Sequence, residues 1–233
     1  MAEALDLYAR FEPLIPFEPE IAGLHDRYVH LLTEFGAGRV LDIGCGSGGL
    51  LKKLGEAGIG AKGIDLSAEM VRRAQAQGVD AECVDLCDLG EIYDAATAVF
   101  DVLNYLDETA LGRFLECAAK AIRPGGHFLF DVNTLYGFEE VAQGSLVLEK
   151  EGVHATVESV FDHNKLTSRF VMFEPGAEGL YRRSEGTITQ LFHPVKTLEK
   201  LLKQAGFKPL GKFDLHLYHA PKPDKQLWVA RRD

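Results

Sequence analysis

Between residues 24 and 35 apolar side chains return at helical intervals, with Leu24, Tyr28, Leu31, Leu32 and Phe35 on one face. Gly36 and Gly38 end that helix before RVLDI, a short run of strand character. The alternation then repeats. GGLLKKLGEAG predicts a helix, AKGID a strand, SAEMVRRAQAQG a helix with Ser67 as N-cap, and VDAECV a third strand. YDAATAVFDVLNYL opens as a strand, and Asp107 caps a helix carrying Leu111, Phe114, Leu115, Ala118 and Ile122 at i, i+3, i+4, i+7 and i+11. RPGG breaks that helix and HFLFDVN follows as a strand. Strands alternating with helices imply a parallel sheet covered on both faces, because each crossover has to return over the sheet.

The period changes near Ser145. SLVLEKE, HATVESVFD, LTSRFVMFE and SEGTITQLFH alternate apolar and polar residues and are separated by turns containing Gly, Asn or Pro. They predict an antiparallel β insertion over residues 145–193, set into a core made of residues 1–144, with an N-terminal helical lid, and 194–233. Pro194 opens a further helix with Leu198, Leu201, Leu202 and Ala205, closed by Gly206, before two last strands, FKPLGKFDLHLYH and KQLWVARR. The expected class is α/β, a Rossmann-like sheet with helices on both faces.

The 233 residues suffice for one sizeable core. A formal charge of −10 and the lack of a basic run disfavour nucleic-acid partners. No segment has the uncharged length of a membrane helix or signal peptide, so the expectation is a cytoplasmic protein with no membrane partner. Cys45, Cys83, Cys87 and Cys117 show no zinc or redox spacing and read as ordinary reduced thiols. The histidines are scattered without ligand spacing, and no metal is expected.

The stretch VLDIGCGSGG carries the chemistry. Gly44, Gly46 and Gly49 satisfy G-x-G-x-x-G between a strand and a helix, and Asp65 follows about 20 residues later, as in a dinucleotide site. Glycine lets the chain turn tightly and approach a ligand without a Cβ in the way. Asp42 separates the possibilities, since a carboxylate at the loop mouth opposes a pyrophosphate and suits an ammonium or sulfonium. On that reading Asp65 accepts two ribose hydroxyls, Asp85 takes an adenine amino group, and Leu66 and Leu86 flank the ring.

In these motifs, together with GIDLS, CVDL and RPGGHFLFD in that order, the sequence resembles the class I S-adenosylmethionine-dependent methyltransferases. The resemblance implies strand order 3-2-1-4-5-7-6 with strand 7 antiparallel. It also extends the cofactor set to Tyr8, Gly44, Cys45, Gly46, Met70 and Phe100. In layout the chain is similar to bacterial small-molecule methyltransferases, including amino-sugar N,N-dimethyltransferases, through LYARFEPLIPFEP, VFDVLNYL and the insertion. At Tyr105 it departs from the sugar enzymes, which have a histidine proposed as base there.

Methyl transfer asks the protein to place a nucleophile about 3 Å from a methyl carbon and to exclude water. The expected catalytic group is Tyr105, Asp131 and Asn133, with Phe11, Asn104 and Tyr136 toward a small-molecule acceptor methylated at N or O. A phenol of ordinary pKa is a poor base at neutral pH, so Tyr105 is expected to orient the acceptor. The insertion is expected to cap the site and to form a homodimer surface. The competing readings are a non-catalytic module that binds S-adenosylmethionine or a partner, and a nicotinamide oxidoreductase.

Overall fold

The computed structural model describes residues 2–233, with side chains from residue 5 onward. Two helices come first, α1 (Ala2–Phe11) and α2 (Glu18–Glu34). The second begins six residues before the periodic stretch, and Pro19 occupies its first turn, where no backbone N–H is needed. The β/α alternation follows: β1 (Arg39–Ile43), α3 (Gly49–Glu56), β2 (Gly60–Asp65), α4 (Ala68–Ala76), β3 (Ala81–Cys83), β4 (Tyr93–Ala98), α5 (Glu108–Ala121) and β5 (Ile122–Asn133). Both expected caps form, Ser67 accepting from the Met70 N–H and Asp107 from the Ala110 N–H.

After β5 come the strands β6 (Gly144–Lys150), β7 (Val153–Asp162), β8 (Lys165–Pro175) and β9 (Tyr181–Leu191), then α6 (Val195–Gln204), β10 (Phe207–Leu215) and β11 (Lys225–Arg232). β6 to β9 make a separate four-stranded antiparallel sheet in sequence order. The larger sheet runs β10-β11-β5-β4-β1-β2-β3, and β11 is antiparallel to both of its neighbours. This is the order 3-2-1-4-5-7-6 implied by the family resemblance.

Period-2 alternation sends the strand residues to two faces. On one, Phe128, Phe130 and Trp228 meet Leu111, Leu115, Leu198 and Leu202 of α5 and α6, and Phe130 stacks on Trp228 with centroids 5.9 Å apart. On the other, Val40, Leu129, Leu227 and Val229 meet Leu24, Tyr28 and Leu32 of α2. His127 sits on this second side, its ring stacked on Phe35 at 4.1 Å.

Three expectations are revised here. Ile122, read as part of the α5 periodicity, and RPGG, read as a break, both lie within β5. VDAECV yields only a three-residue strand, at the sheet edge where Glu82 and Cys83 are exposed. The cysteines are not all thiols: Cys87, just after β3, and Cys117 on α5 form a disulfide, leaving Cys45 and Cys83 free. Their 30-residue separation in sequence hid the pairing.

Thiol titration of the unreduced, denatured protein is expected to find two reactive thiols, and four after reduction. In the chain-entropy model, closing a loop of this length stabilises the fold by about 3–4 kcal/mol, so reductant should lower the unfolding temperature. Four thiols without reductant would remove the crosslink.

Candidate functional site

The glycine loop leaves the carboxyl end of β1 and is tied to β2 at once, the Gly44 and Cys45 N–H groups donating to the Ile64 carbonyl at 2.8 and 3.0 Å. Gly44 has φ 72°, and a Cβ there would lie 2.8 Å from Val102 Cγ2, so both conformation and space require glycine. Cys45 turns inward, where it faces Gly63 of β2, and burial pushes its thiol up. Asp65 closes the loop from the end of β2. Its Oδ2 accepts from the Gly46 N–H at 3.0 Å and its Oδ1 from the Ser67 N–H at 2.8 Å.

Asp42 is 2% exposed, and its Oδ1 accepts from the Thr97 hydroxyl at 2.7 Å. Burial outweighs that hydrogen bond and pushes its carboxyl up to about 7. Asp85 stands exposed beyond β3 and accepts from the Cys87 N–H at 2.8 Å, so one of its oxygens already shapes the backbone that carries Leu86. Leu86 and Met70 are buried, whereas Leu66 is 52% exposed.

Helix α1 lies across this edge. The Ser67 hydroxyl donates to Asp6 Oδ1 at 2.5 Å, and Arg73 on α4 donates to the Ala9 carbonyl at 2.5 Å. Toward the small sheet, Arg10 donates to Glu174 at 2.6 Å and to Ser184 at 3.2 Å. Leu7 and Phe11 are buried against Leu148, Ala155, Phe170 and Met172, and Tyr8 meets the Phe170 ring edge-on at 6.0 Å. Glu12 adds a carboxyl that is raised by burial and by Asp65, against the pull of Arg73.

The sheet order reverses between β1 and β4, and open α/β sheets bind ligands at such a point. There Phe100 (φ 61°) and Asp101 (φ 54°) are successive non-glycine residues in the left-handed region, each costing about 1–2 kcal/mol. Asp131 holds them. Its Oδ1 accepts from the Phe100 N–H at 2.8 Å and from the Tyr28 hydroxyl at 2.9 Å, and its Oδ2 from the Asp101 N–H at 3.1 Å and from Lys225 Nζ at 3.1 Å. Lys225 also pairs with the Asp101 carboxylate, whose other oxygen accepts from Gln190 Nε2. The two acids hold the buried ammonium charged and push it up, against the pull of desolvation.

The sequence-predicted acceptor residues divide. Tyr8 and Tyr105 are brought together with Tyr218: each phenol is pushed up, mainly by burial and then by neighbouring charge that includes Asp101, and Tyr218 reaches about 12. Asp131 has no exposed surface and four protein donors on its two oxygens. Asn104 is also fully buried, its amide donating to the Leu191 carbonyl at 2.7 Å and its oxygen accepting from the Asn133 N–H at 3.0 Å. Asn104 thus ties β5 to β9. Asn133 is half-buried at the end of β5, and Tyr136 lies at the rim under Lys222 Nζ, 5.4 Å from the ring centre. Phe11 is packed among the apolar residues beneath α1.

Asp101, Lys225, Tyr28, Gln190 and Tyr218 escaped the sequence reading. One signal was available for Lys225, a cation opening the otherwise apolar run KQLWVA.

A family model described as a methyltransferase domain matches residues 20–211. YqeM of Bacillus subtilis (strain 168), named as a methyltransferase, is 29% identical over 183 residues, 73% of this chain and 74% of its own. Among solved structures, the sugar N-methyltransferase KedS8 from Streptoalloteichus superposes with a TM-score of 0.77 at 24% identity, over 100% of this chain and 94% of that one. S-adenosylmethionine-bound CalS10, an amino pentose methyltransferase from Micromonospora echinaspora, gives 0.70 at 21%, over 94% and 92%. The two superpositions are likenesses of fold.

Asp131→Ala leaves a buried lysine with one partner and is expected to lower the unfolding free energy by about 3–5 kcal/mol in urea titration. Tyr28→Phe, which removes one hydrogen bond to the same carboxylate, should cost about 1.5–3 kcal/mol. Losses below about 1 kcal/mol for both would deny Asp131 its role as anchor.

Proposed function

The chain belongs to the methyltransferase domain family, and from that footing we propose that it transfers a methyl group from S-adenosylmethionine to nitrogen or oxygen of a small-molecule acceptor. The observation that carries the reading is the row of acids at the carboxyl ends of three adjacent parallel strands, Asp42 on β1, Asp65 on β2 and Asp85 just past β3, set around a glycine loop with no side chain in the way.

The residues fit this nucleoside. Asp6, Glu12, Asp42 and Asp65 gather at the loop against Arg73, an acidic excess that repels a pyrophosphate and accommodates the ammonium and sulfonium of S-adenosylmethionine. Asp65 keeps lone pairs for ribose hydroxyls, Asp85 faces outward for the adenine amino group, and Leu86 with Met70 gives the ring an apolar floor. Gly44, Gly46 and Cys45 supply the close-approaching backbone, and Phe100 borders them beyond β4. When bound, the sulfonium supplies an activated methyl group.

The protein's own work is placement. Tyr8 and Phe11 on α1 exclude water, Tyr105, Asn133 and Tyr136 shape the acceptor side, and Asn104 and Asp131 hold the surrounding strands in position. The phenols are pushed further from the basic range by burial, which supports Tyr105 as an orienting group. The small antiparallel sheet caps the acceptor side. Its outer face carries exposed Val147, Val160, Phe173 and Tyr181, which supports self-association of the chain there.

Calorimetric titration with S-adenosylmethionine, S-adenosylhomocysteine and NADH tests the reading, with binding expected for the sulfur nucleosides alone. Asp65→Ala should weaken it by about 2 kcal/mol or more, as two charge-assisted hydrogen bonds vanish. NADH binding without the sulfur nucleosides would reverse the assignment.

The acid at β1 gives a pH signature. Below about 7 the free protein holds Asp42 neutral, while a ligand ammonium favours its ionised form, so binding expels a proton. Affinity for S-adenosylhomocysteine should therefore rise as pH increases toward 7, by up to about tenfold per unit, and level off above it. A flat profile that Asp42→Asn leaves unchanged would remove Asp42 from the site.

A further inference from the structure

Of the buried acid–lysine cluster at the end of β5, Asp131 and Lys225 are consumed by the fold and Asp101 is the member nearest the surface. Asp131 has no exposed surface and the Lys225 side chain is 2% exposed, whereas the Asp101 side chain is 14% exposed. It is aimed by a backbone conformation that ordinary residues avoid, φ 54° and ψ 28°, next to another such residue, Phe100. The strain is sustained because Asp131 takes both N–H groups, so the turn is built to present one side chain. Val102, one residue on, lies against Gly44, which sets Asp101 beside the glycine loop. Its charge is felt by Tyr8, Tyr105 and Tyr218, which sets the same carboxylate near all three phenols.

We propose that Asp101 is the anion against which the methyl-accepting atom sits, and that the acceptor is an amine; this deepens the methyl-transfer reading and rests on it. Lys225 lies between two carboxylates and offsets only one of them. A carboxylate has about four acceptor positions, and Asp101 uses one on each oxygen. Asp101 and Asp131 thus share one lysine at this end of the sheet, which leaves the pair net negative. Such a balance opposes an acceptor that must be an anion to react, a carboxylate or a phenolate, and favours one that gains positive charge.

In the step itself the amine nitrogen shares its lone pair with the methyl carbon. The sulfur–carbon bond breaks with its electron pair left on sulfur, and the positive charge lost there appears on nitrogen. Asp101 faces that charge as it develops, and the surplus N–H proton leaves afterwards to water. Lys225, Gln190 and Asp131 act through Asp101 by fixing where its oxygens lie.

The test uses sinefungin, in which a carbon bearing an ammonium replaces the methylsulfonium, so that a cation projects where methyl and acceptor meet. Wild type and Asp101→Asn are titrated calorimetrically with sinefungin and with S-adenosylhomocysteine, which lacks that cation. The variant should lose sinefungin affinity about tenfold or more while its affinity for S-adenosylhomocysteine moves less than about threefold. Equal losses for both would make Asp101 merely structural, and no change for sinefungin would place no anion at the transfer point; either overturns the proposal. Should Asp101→Asn fail to fold, Asp101→Asn with Lys225→Met removes both charges of the pair and is held to the same comparison. Failure of the wild type to bind S-adenosylhomocysteine is a separate result and would end the methyl-transfer reading itself.

Discussion

A carboxylate with no exposed surface needs donors for its lone pairs, and satisfying Asp131 organises this end of the molecule. Its four donors come from α2, the turn after β4 and β11, while Asp131 itself lies on β5. Tyr28 is thereby fixed at the centre of the α2 face, and Lys225 at the start of the antiparallel strand. The left-handed turn exists on the same terms: absent an anion beneath its two N–H groups, Phe100 and Asp101 would relax toward ordinary backbone. One buried carboxylate therefore ties together the α2 helix, the start of β11 and the turn at the sheet's reversal point.

The molecule divides its labour between a rigid edge and an applied cover. The edge is the row of parallel strand ends, where neighbouring backbone fixes Asp42, the glycine loop and Asp65 to within hydrogen-bond geometry. Beside it lie α1 and the small antiparallel sheet, joined to each other by Phe11, Phe170 and Arg10 and to the core by polar contacts and by Phe138 stacked on Phe161. Precision resides where the chain is most crossed by hydrogen bonds.

Local pattern was enough to read the first layer. Ser67 and Asp107 announce helix starts, the alternation after Ser145 announces antiparallel strands, and glycines after RVLDI announce a ligand loop. The strand order came only with the family resemblance, because nothing in KQLWVARR by itself says that it enters between two earlier strands. The rest was illegible for the same physical reason. Asp101 and Lys225 are 124 residues apart and meet only through the β5–β11 register, and Cys87 finds Cys117 only once α5 folds back over the sheet. Asp131 read as a catalytic candidate because sequence shows an acid at a strand end without showing that its oxygens are already taken. Composition reports which groups exist, and tertiary pairing decides which remain available.

Helix α1 is ten residues long and anchored at both flanks, to Ser67 and Arg73 on one side and to Glu174 and Ser184 on the other. A helix of that length is marginal in water once its tertiary contacts are gone. It cannot swing aside as a rigid door, since detaching it also melts it. Detachment of α1 would therefore be a local folding reaction, one that carries the enthalpy and heat capacity of unfolding a short amphipathic segment. Turnover limited by that step would follow the temperature dependence of helix melting, steeper than that of diffusion, and α1 would set the pace without touching the bond being broken.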